Sequence, residues 1–282
     1  MMTLWQGLCH LPTSWHPAIG KSCGKLLFIL AKSRKKIAQV NIEVCFPDFS
    51  KAEQQQLLQD NFLHLGRSFV ETGVAWFWSD KKIQNKVDYE LSGIDLLSNS
   101  DSENGNLIIF KHSQHLELDA RIFAMNAEVY GVSRSHNSAS MNKIQDKGRL
   151  SSIKDTADKN NPRKFMRWLK GGKNVMYAID QDYGWDHSVK LEFFNQEAAT
   201  ITTTKKIIDA TNSNLFFLNS YYKNKKLVLE IELINHVGLN SVELAQKIND
   251  LMEQKILQHP AEYLWSHRRS VSYTHLTLPT KA

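Results

Sequence analysis

The run Asn106-Leu-Ile-Ile-Phe-Lys111, followed by His112-Ser-Gln-His-Leu-Glu117, constrains the fold of this chain more than any other stretch. The apolar residues 107–110 read as a short buried strand, and Leu116, Leu118, Ala120, Arg121 and Ile122 read as a helix that follows at once. His112 therefore sits at a strand end, where open α/β sheets place their chemistry. Glu117 lies about one helical turn beyond it. A carboxylate there can reach back, hydrogen-bond one ring nitrogen and fix the tautomer, leaving the other nitrogen to take a proton from an alcohol. His115 is the local rival; a helix starting near Gln114 turns it towards solvent or core.

The same alternation runs through the chain. Ser50-Lys-Ala-Glu53 is a capping box opening a long helix in which Leu58, Phe62, Leu65 and Phe69 recur at three- and four-residue steps, running towards Trp76-Phe-Trp78 and broken at Ser79-Asp80. Residues 92–105 read as a loop. Strands are predicted near Glu128–Ser133, at Val175–Ile179 and at Val189–Phe194, and helices near Met141–Lys147, from Asn161-Pro162 to Gly171-Gly172, and over Thr202–Ala210. Leu215–Tyr221 and Leu227–Leu233 read as a strand pair around a polar turn, and Ser241–Leu257 as a helix opened by its serine. Strands alternating with helices predict an α/β fold with a mixed, largely parallel central sheet flanked by helices.

The balance of charge narrows the partners. A net charge of +6 and a sequence pI near 9.0 suit an anionic partner, but the basic residues are spread along the chain with no Lys/Arg tail, which disfavours nucleic acid. The mean hydropathy of −0.39 argues against a polytopic membrane protein. No apolar run reaches the roughly 20 residues of a membrane-spanning helix. Trp5, Trp15, Lys21, Lys25 and the cluster Lys32-Ser-Arg-Lys-Lys36 nevertheless resemble the flank of a membrane surface; the other reading is an amphipathic helix docked on the core. Cys9, Cys23 and Cys45 have no metal-ligand spacing and cannot all pair, so a reducing compartment is the simpler reading.

Three further patterns carry competing readings. Gly20-Lys-Ser-Cys-Gly24 fits the G-x-S-x-G nucleophile elbow, but Trp15-His-Pro-Ala-Ile is a poor strand, and a glycine-rich kink in a helix fits better. Asp180-Gln-Asp182 follows a strand and could hold a metal in a nucleotide-sugar transferase, or belong to a hydrogen-bonded loop; its glycine stands wrongly for a calcium loop. In 162–170, Arg163, Arg167 and Lys170 share one face and Phe165, Trp168 and Leu169 another, either an ordinary amphipathic helix or a basic rim for phosphates or a membrane.

Several words in fixed order add a family. They are Ile37-Ala-Gln-Val-Asn-Ile-Glu-Val-Cys-Phe-Pro47, Glu71-Thr-Gly-Val-Ala-Trp-Phe-Trp78, His112 to Glu117, Gly148-Arg149, Tyr177-Ala-Ile-Asp-Gln-Asp-Tyr-Gly184, Phe193-Phe194 with Ala198-Ala-Thr200, and Pro260-Ala-Glu-Tyr-Leu-Trp-Ser-His-Arg-Arg269. Over about residues 10–269 the chain resembles the late lipid A acyltransferases of Gram-negative bacteria, nearest the lauroyl or palmitoleoyl branch acting on Kdo-lipid IV-A. The resemblance implies a glycerolipid-acyltransferase-like fold and acyl transfer from an acyl carrier protein thioester to a lipid A precursor hydroxyl, on the cytoplasmic face of the inner membrane, with no cofactor and no metal. It implies His112 as general base, Glu117 as its orienting carboxylate and Arg149 as the cation for phosphate or oxyanion. Arg134 is a second such candidate, and Asp180 and Asp182 orient that arginine or the acceptor.

The resemblance also divides the chain. Residues 1–36 read as a membrane-proximal amphipathic or truncated anchor segment, 37–270 as the acyltransferase domain, and 271–282 as an artefactual tail, the translation of an adapter used in DNA library preparation. The chain departs from the family at Ser133-Arg134-Ser135, where Tyr-Arg-Pro is usual, and at Thr203, where a glycine is expected. A metal-dependent sugar transferase using Asp180 and Asp182, or a catalytically decayed lipid-binding domain, are the alternatives.

Overall fold

The computed structural model describes residues 2–98, 104–133, 139–180 and 188–267, the side chains of 2–4 and 139–142 excepted. Its centre is the predicted strand β2 (Asn106–Phe110). β2 lies in a seven-stranded sheet with β1 (Tyr89–Ser92), β3 (Val129–Ser133), β4 (Thr156–Asp158), β5 (Asn174–Ala178), β8 (Asn214–Lys223) and β9 (Lys226–Leu233), in the order β1-β9-β8-β2-β5-β3-β4. Neighbours run parallel except β8 and β9, which form an antiparallel hairpin. The outer pair β6 (Val189–Phe193) and β7 (Gln196–Thr200) is a separate antiparallel hairpin. The sheet is thus mixed and largely parallel, as expected.

Alternate residues of the central strands enter two cores. Leu107 and Ile109 of β2, Val175 and Tyr177 of β5, and Leu215 and Phe217 of β8 face one layer. Ile108, Phe110, Met176, Phe216 and Leu218 face the other. A sheet covered on both faces needs strands apolar at every position, which is why β2 is unbroken in sequence. The first layer is covered by α3 (Lys32–Cys45), α8 (Pro162–Lys170), α9 (Thr203–Thr211) and α10 (Ser241–Gln258), the second by α5 (Asp80–Lys86) and α6 (Leu116–Asn126). α4 (Lys51–Phe77) gives Leu58 and Phe62 to one core and Val74 to the other. Each such aliphatic side chain removed from water contributes about 1.5–3 kcal/mol.

The chain punctuation is mostly where the residues predict it. Ser50 caps α4 reciprocally with Glu53. α10, in contrast, is capped by Asn240 with Glu243 and not by Ser241; the amide side chain accepts from two first-turn N–H groups. The short strands β1, β4 and β7 carry no clear pattern in the residues, being three to five residues long and at sheet edges or in the outer hairpin. Both hairpin turns place two residues at positive φ: Asn224 and Lys225 at 51° and 68°, Phe194 and Asn195 at 53° and 54°.

The N-terminal helices α1 (Met2–Cys9), α2 (His16–Leu30) and α3 pack on this body, and α3 runs through the expected boundary at 36/37. No helix among the described residues is long and apolar enough to cross a membrane. Gly20 and Gly24 lie inside α2, so the nucleophile elbow, which needs a strand and a sharp turn, is absent from this place. The glycines form a close contact. A Cβ on Gly66 of α4 would stand 2.2 Å from the Gly20 carbonyl oxygen and 2.2 Å from the Gly24 nitrogen. The two helices meet backbone to backbone, and neither can retreat cheaply.

Gly66→Ala should therefore lower stability by about 1–3 kcal/mol through overpacking. Gly7→Ala, where a new Cβ meets nothing within 4 Å, should be neutral or slightly stabilising. Thermal unfolding of both variants checks this; equal midpoints would contradict the close contact.

Candidate active site

β2 and β5 pair in parallel with Phe110 opposite Ala178. His112 and Asp180 each follow two residues beyond those partners, so the register delivers them side by side. Asp180 Oδ1 accepts a very short hydrogen bond from His112 Nδ1. Its Oδ2 accepts from the His112 main-chain N–H at 2.9 Å and from the Tyr263 hydroxyl at 3.0 Å. A carboxylate on Nδ1 fixes the ring with its proton there, leaving Nε2 as the nitrogen for chemistry. His267 stacks on the imidazole, ring centroids 5.4 Å apart and 6° from parallel.

This corrects two expectations. The acid on the His112 ring is Asp180, not Glu117. After His112 the chain is drawn aside, Ser113 bridging to Tyr263 and Gln114 N–H donating to the Glu262 carbonyl. Glu117, in the first turn of α6, then meets α7 (Ala139–Arg149) instead. Nor does Asp180 stand ready for a substrate or for Arg149, since it is 1% exposed beneath the ring.

Glu117 belongs to the arginine. Its Oε1 accepts from Arg149 Nη2 at 2.5 Å, both of its oxygens lie 3.2 Å from Arg149 Nε, and its Oε2 accepts from Trp76 Nε1 at 2.9 Å. Burial alone would depress the guanidinium; the Glu117 charge and hydrogen bonds reverse that and raise its pKa above the usual arginine range. The Gly148-Arg149 word has a steric reason, because a Cβ on Gly148 would stand 2.4 Å from the Trp76 indole. Glycine lets α7 lie on the ring that also holds Glu117.

His112, Glu117 and Arg149 line one cavity of about 550 Å³. Its walls include Phe110, Leu116, Ala120, Val132, Ile153 and Met176, and Arg34 of α3 and Lys159 add positive charge. An imidazole with a fixed tautomer, a paired guanidinium and a wall of mixed apolar and cationic side chains together suit acid–base chemistry on a polar group carried by an apolar chain. Arg134 and Asp182 lie outside the described residues, as does the tail 271–282. Among the described residues no group of three His, Cys, Asp or Glu side chains could hold a metal. Asp180 is committed to His112 and Tyr263, which removes it from the sugar-transferase reading. Arg163, Arg167 and Lys170 are exposed on α8, with Phe165 and Leu169 buried beneath them.

His115 is core. It is 2% exposed, with Nδ1 bonded to Asp119 at 2.9 Å and Nε2 to Glu262 at 3.0 Å. Two carboxylates require both nitrogens to donate, so the ring is an imidazolium. Burial opposes that charge, but Asp119 and Glu262 outweigh it and raise the pKa to about 9. Ser113 and Ser220 hydroxyls each donate to Asp119 at 2.7 Å. Residue patterns alone miss Tyr263, Glu262 and this network as parts of the site; only the word Pro260–Arg269 hints at them.

The sequence profile of the bacterial lipid A biosynthesis acyltransferase family matches residues 1–270. The chain belongs to that family. Among lipid A acyltransferases it is 33% identical to the lipid A biosynthesis lauroyltransferase of Escherichia coli, over 89% of this chain and 83% of the relative. It is 31% identical to the palmitoleoyltransferase of the same organism over the same shares, and 21% identical to its myristoyltransferase over 92% and 82%. A lipid A acyltransferase transfers acyl groups in lipid A biosynthesis, which fits a cavity with apolar and cationic walls on which an imidazole lies.

A folded pKa near 9 against 6.5 free means the His115 contribution is whole below pH 6.5 and is lost as pH rises through about 9. His115→Gln should cost ~3–5 kcal/mol near neutral pH, as when one partner of a buried ion pair is removed. In urea unfolding that gap should narrow above about pH 9; a gap that does not vary with pH would exclude a buried imidazolium.

Proposed function

We propose that the protein transfers a fatty acyl chain from an acyl carrier protein thioester to a hydroxyl of an anionic lipid A precursor, Kdo-lipid IV-A, at the cytoplasmic face of the inner membrane. The observation that carries this reading is His112, held by Asp180, lining beside Arg149 a cavity whose walls are part apolar and part cationic. His112 Nε2 takes the proton of the acceptor hydroxyl as its oxygen attacks the thioester carbonyl. Asp180 stabilises the imidazolium that forms. The tetrahedral oxyanion collapses, the C–S bond breaks, and the thiolate takes the proton back from His112. The enzyme forms no covalent bond of its own.

The magnitudes suit these roles. An alcohol is far too weak an acid to attack a thioester unaided at neutral pH. A positioned base supplies ~10²–10⁴-fold, or about 3–5 kcal/mol of barrier. A cation aimed at the oxyanion supplies a comparable amount, roughly 10²–10³-fold. Arg149 faces the cavity with its charge secured by Glu117, and is assigned to the oxyanion or to an acceptor phosphate. Arg34 and Lys159 on the same cavity favour an anionic acceptor, as the net charge of +6 favours an acidic carrier protein.

Membrane attachment is assigned to α2. Trp15, Leu26, Ile29 and Leu30 are each more than half exposed, beside the exposed Lys21, Lys25, Lys32 and Lys36. Large apolar side chains flanked by lysines suit the interface of an anionic leaflet, with about 1 kcal/mol from each lysine near the surface.

The decisive assay supplies purified protein with acyl carrier protein thioesters and the lipid acceptor, and reads the product by mass spectrometry. His112→Ala should lose at least ~10²-fold in rate, and Asp180→Asn should do likewise, because an amide can hold the wrong tautomer. A His112→Ala protein at wild-type speed would falsify the mechanism. Replacing Leu26, Ile29 and Leu30 together by Ser should weaken flotation with anionic vesicles by at least ~10-fold; unaltered flotation would move the attachment elsewhere.

A further inference from the structure

General-base chemistry at His112 leaves Tyr263 unexplained, and any part that Tyr263 plays in catalysis rests on His112 being that base. Tyr263 is 3% exposed, and its hydroxyl donates to the carboxylate that holds His112. Its placement is fixed by main-chain bonds to the residues that carry the imidazole: Leu264 N–H donates to the His112 carbonyl at 2.9 Å and Gln114 N–H to the Glu262 carbonyl at 2.8 Å. Asn61 of α4 donates to the carbonyls of Ala261 and Tyr263 at 2.8 and 2.6 Å. Asn41 of α3 donates to those of Trp265 and His267 at 2.7 and 2.9 Å. Glu262 is pinned by the His115 ring and the Tyr222 N–H. Two asparagines, each 1% exposed within a helix, and one buried imidazolium thus hold a single segment in place.

We propose that Tyr263 is a positioning residue that sets the basicity of His112 through Asp180. A carboxylate already accepting from a phenol and a main-chain N–H has less charge to offer the imidazolium. Without the phenol, Asp180 stabilises the protonated ring more strongly, and His112 stays protonated to higher pH. Among the described residues, the other titratable groups around the ring are the stacked His267, then Glu117, Arg149, Arg34 and Lys159 across the cavity, and the buried Lys111 beside it. Tyr263→Phe leaves all of these in place.

The test uses the full chain with Tyr263→Phe. The NMR titration of the His112 ring, identified by its loss in His112→Gln, should move up by about half a unit to one unit, the share of one hydrogen bond to a charged group. The acid limb of kcat/KM for acyl transfer should follow it. Fluorotyrosine placed at 263, a stronger donor, should move both the other way. A His112 titration that answers to neither change overturns the proposal, as does a loss of plateau rate with no shift of the limb. Wild-type turnover by His112→Ala would instead remove the base reading, leaving the titration to judge the coupling of Tyr263 to His112.

Discussion

The parallel pairing of β2 with β5 holds the site together. Two strands joined residue for residue, with Phe110 against Ala178, carry their following residues to one point above the sheet. A single-residue slip would turn every side chain of β2 to the opposite core. The close packing of differently shaped side chains in the two cores opposes that slip. The sheet's packing energy and the alignment of His112 with Asp180 are thus one structural fact.

Buried charge surrounds this point at considerable cost. Asp180, His115, Asp119, Glu262 and Lys111 are each under 7% exposed, and apolar residues of equal size would be as stable or more so. What the charges supply is direction. His115 ties α6 to the segment before Tyr263, Lys111 donates to Asn219 and to the Ser220 carbonyl, and each bond fixes one chain against another. Burial lowers the Lys111 pKa to about 8, while the surrounding carboxylates oppose the fall. The same network that fixes the chain after His112 turns Glu117 away from the imidazole and towards Arg149.

The N-terminal helices join the site through equally close contacts. α2 lies against α4 through Gly20, Gly24 and Gly66, which brings α3 and its Arg34 to the cavity edge. Small residues on one side of α2 and large exposed apolar residues on the other divide the helix between the protein and its surroundings.

Much of this is legible in the residues. Uninterrupted apolar runs mark the buried strands, Ser50 with Glu53 marks the start of α4, and a histidine just past a strand end marks the site. Seven ordered words point to the family, whose profile covers residues 1–270. The partner of His112 is not legible. Glu117, five residues away, is the local choice, while Asp180 stands 68 residues off. Local spacing governs what one helical turn can reach, so the order of residues along the chain was enough for the longer elements and for a histidine at a strand end, and Arg149 came from the family words. Which acid serves which base follows from strand register and from the segment around Tyr263, because hydrogen bonds between distant residues exist only once the sheet has packed.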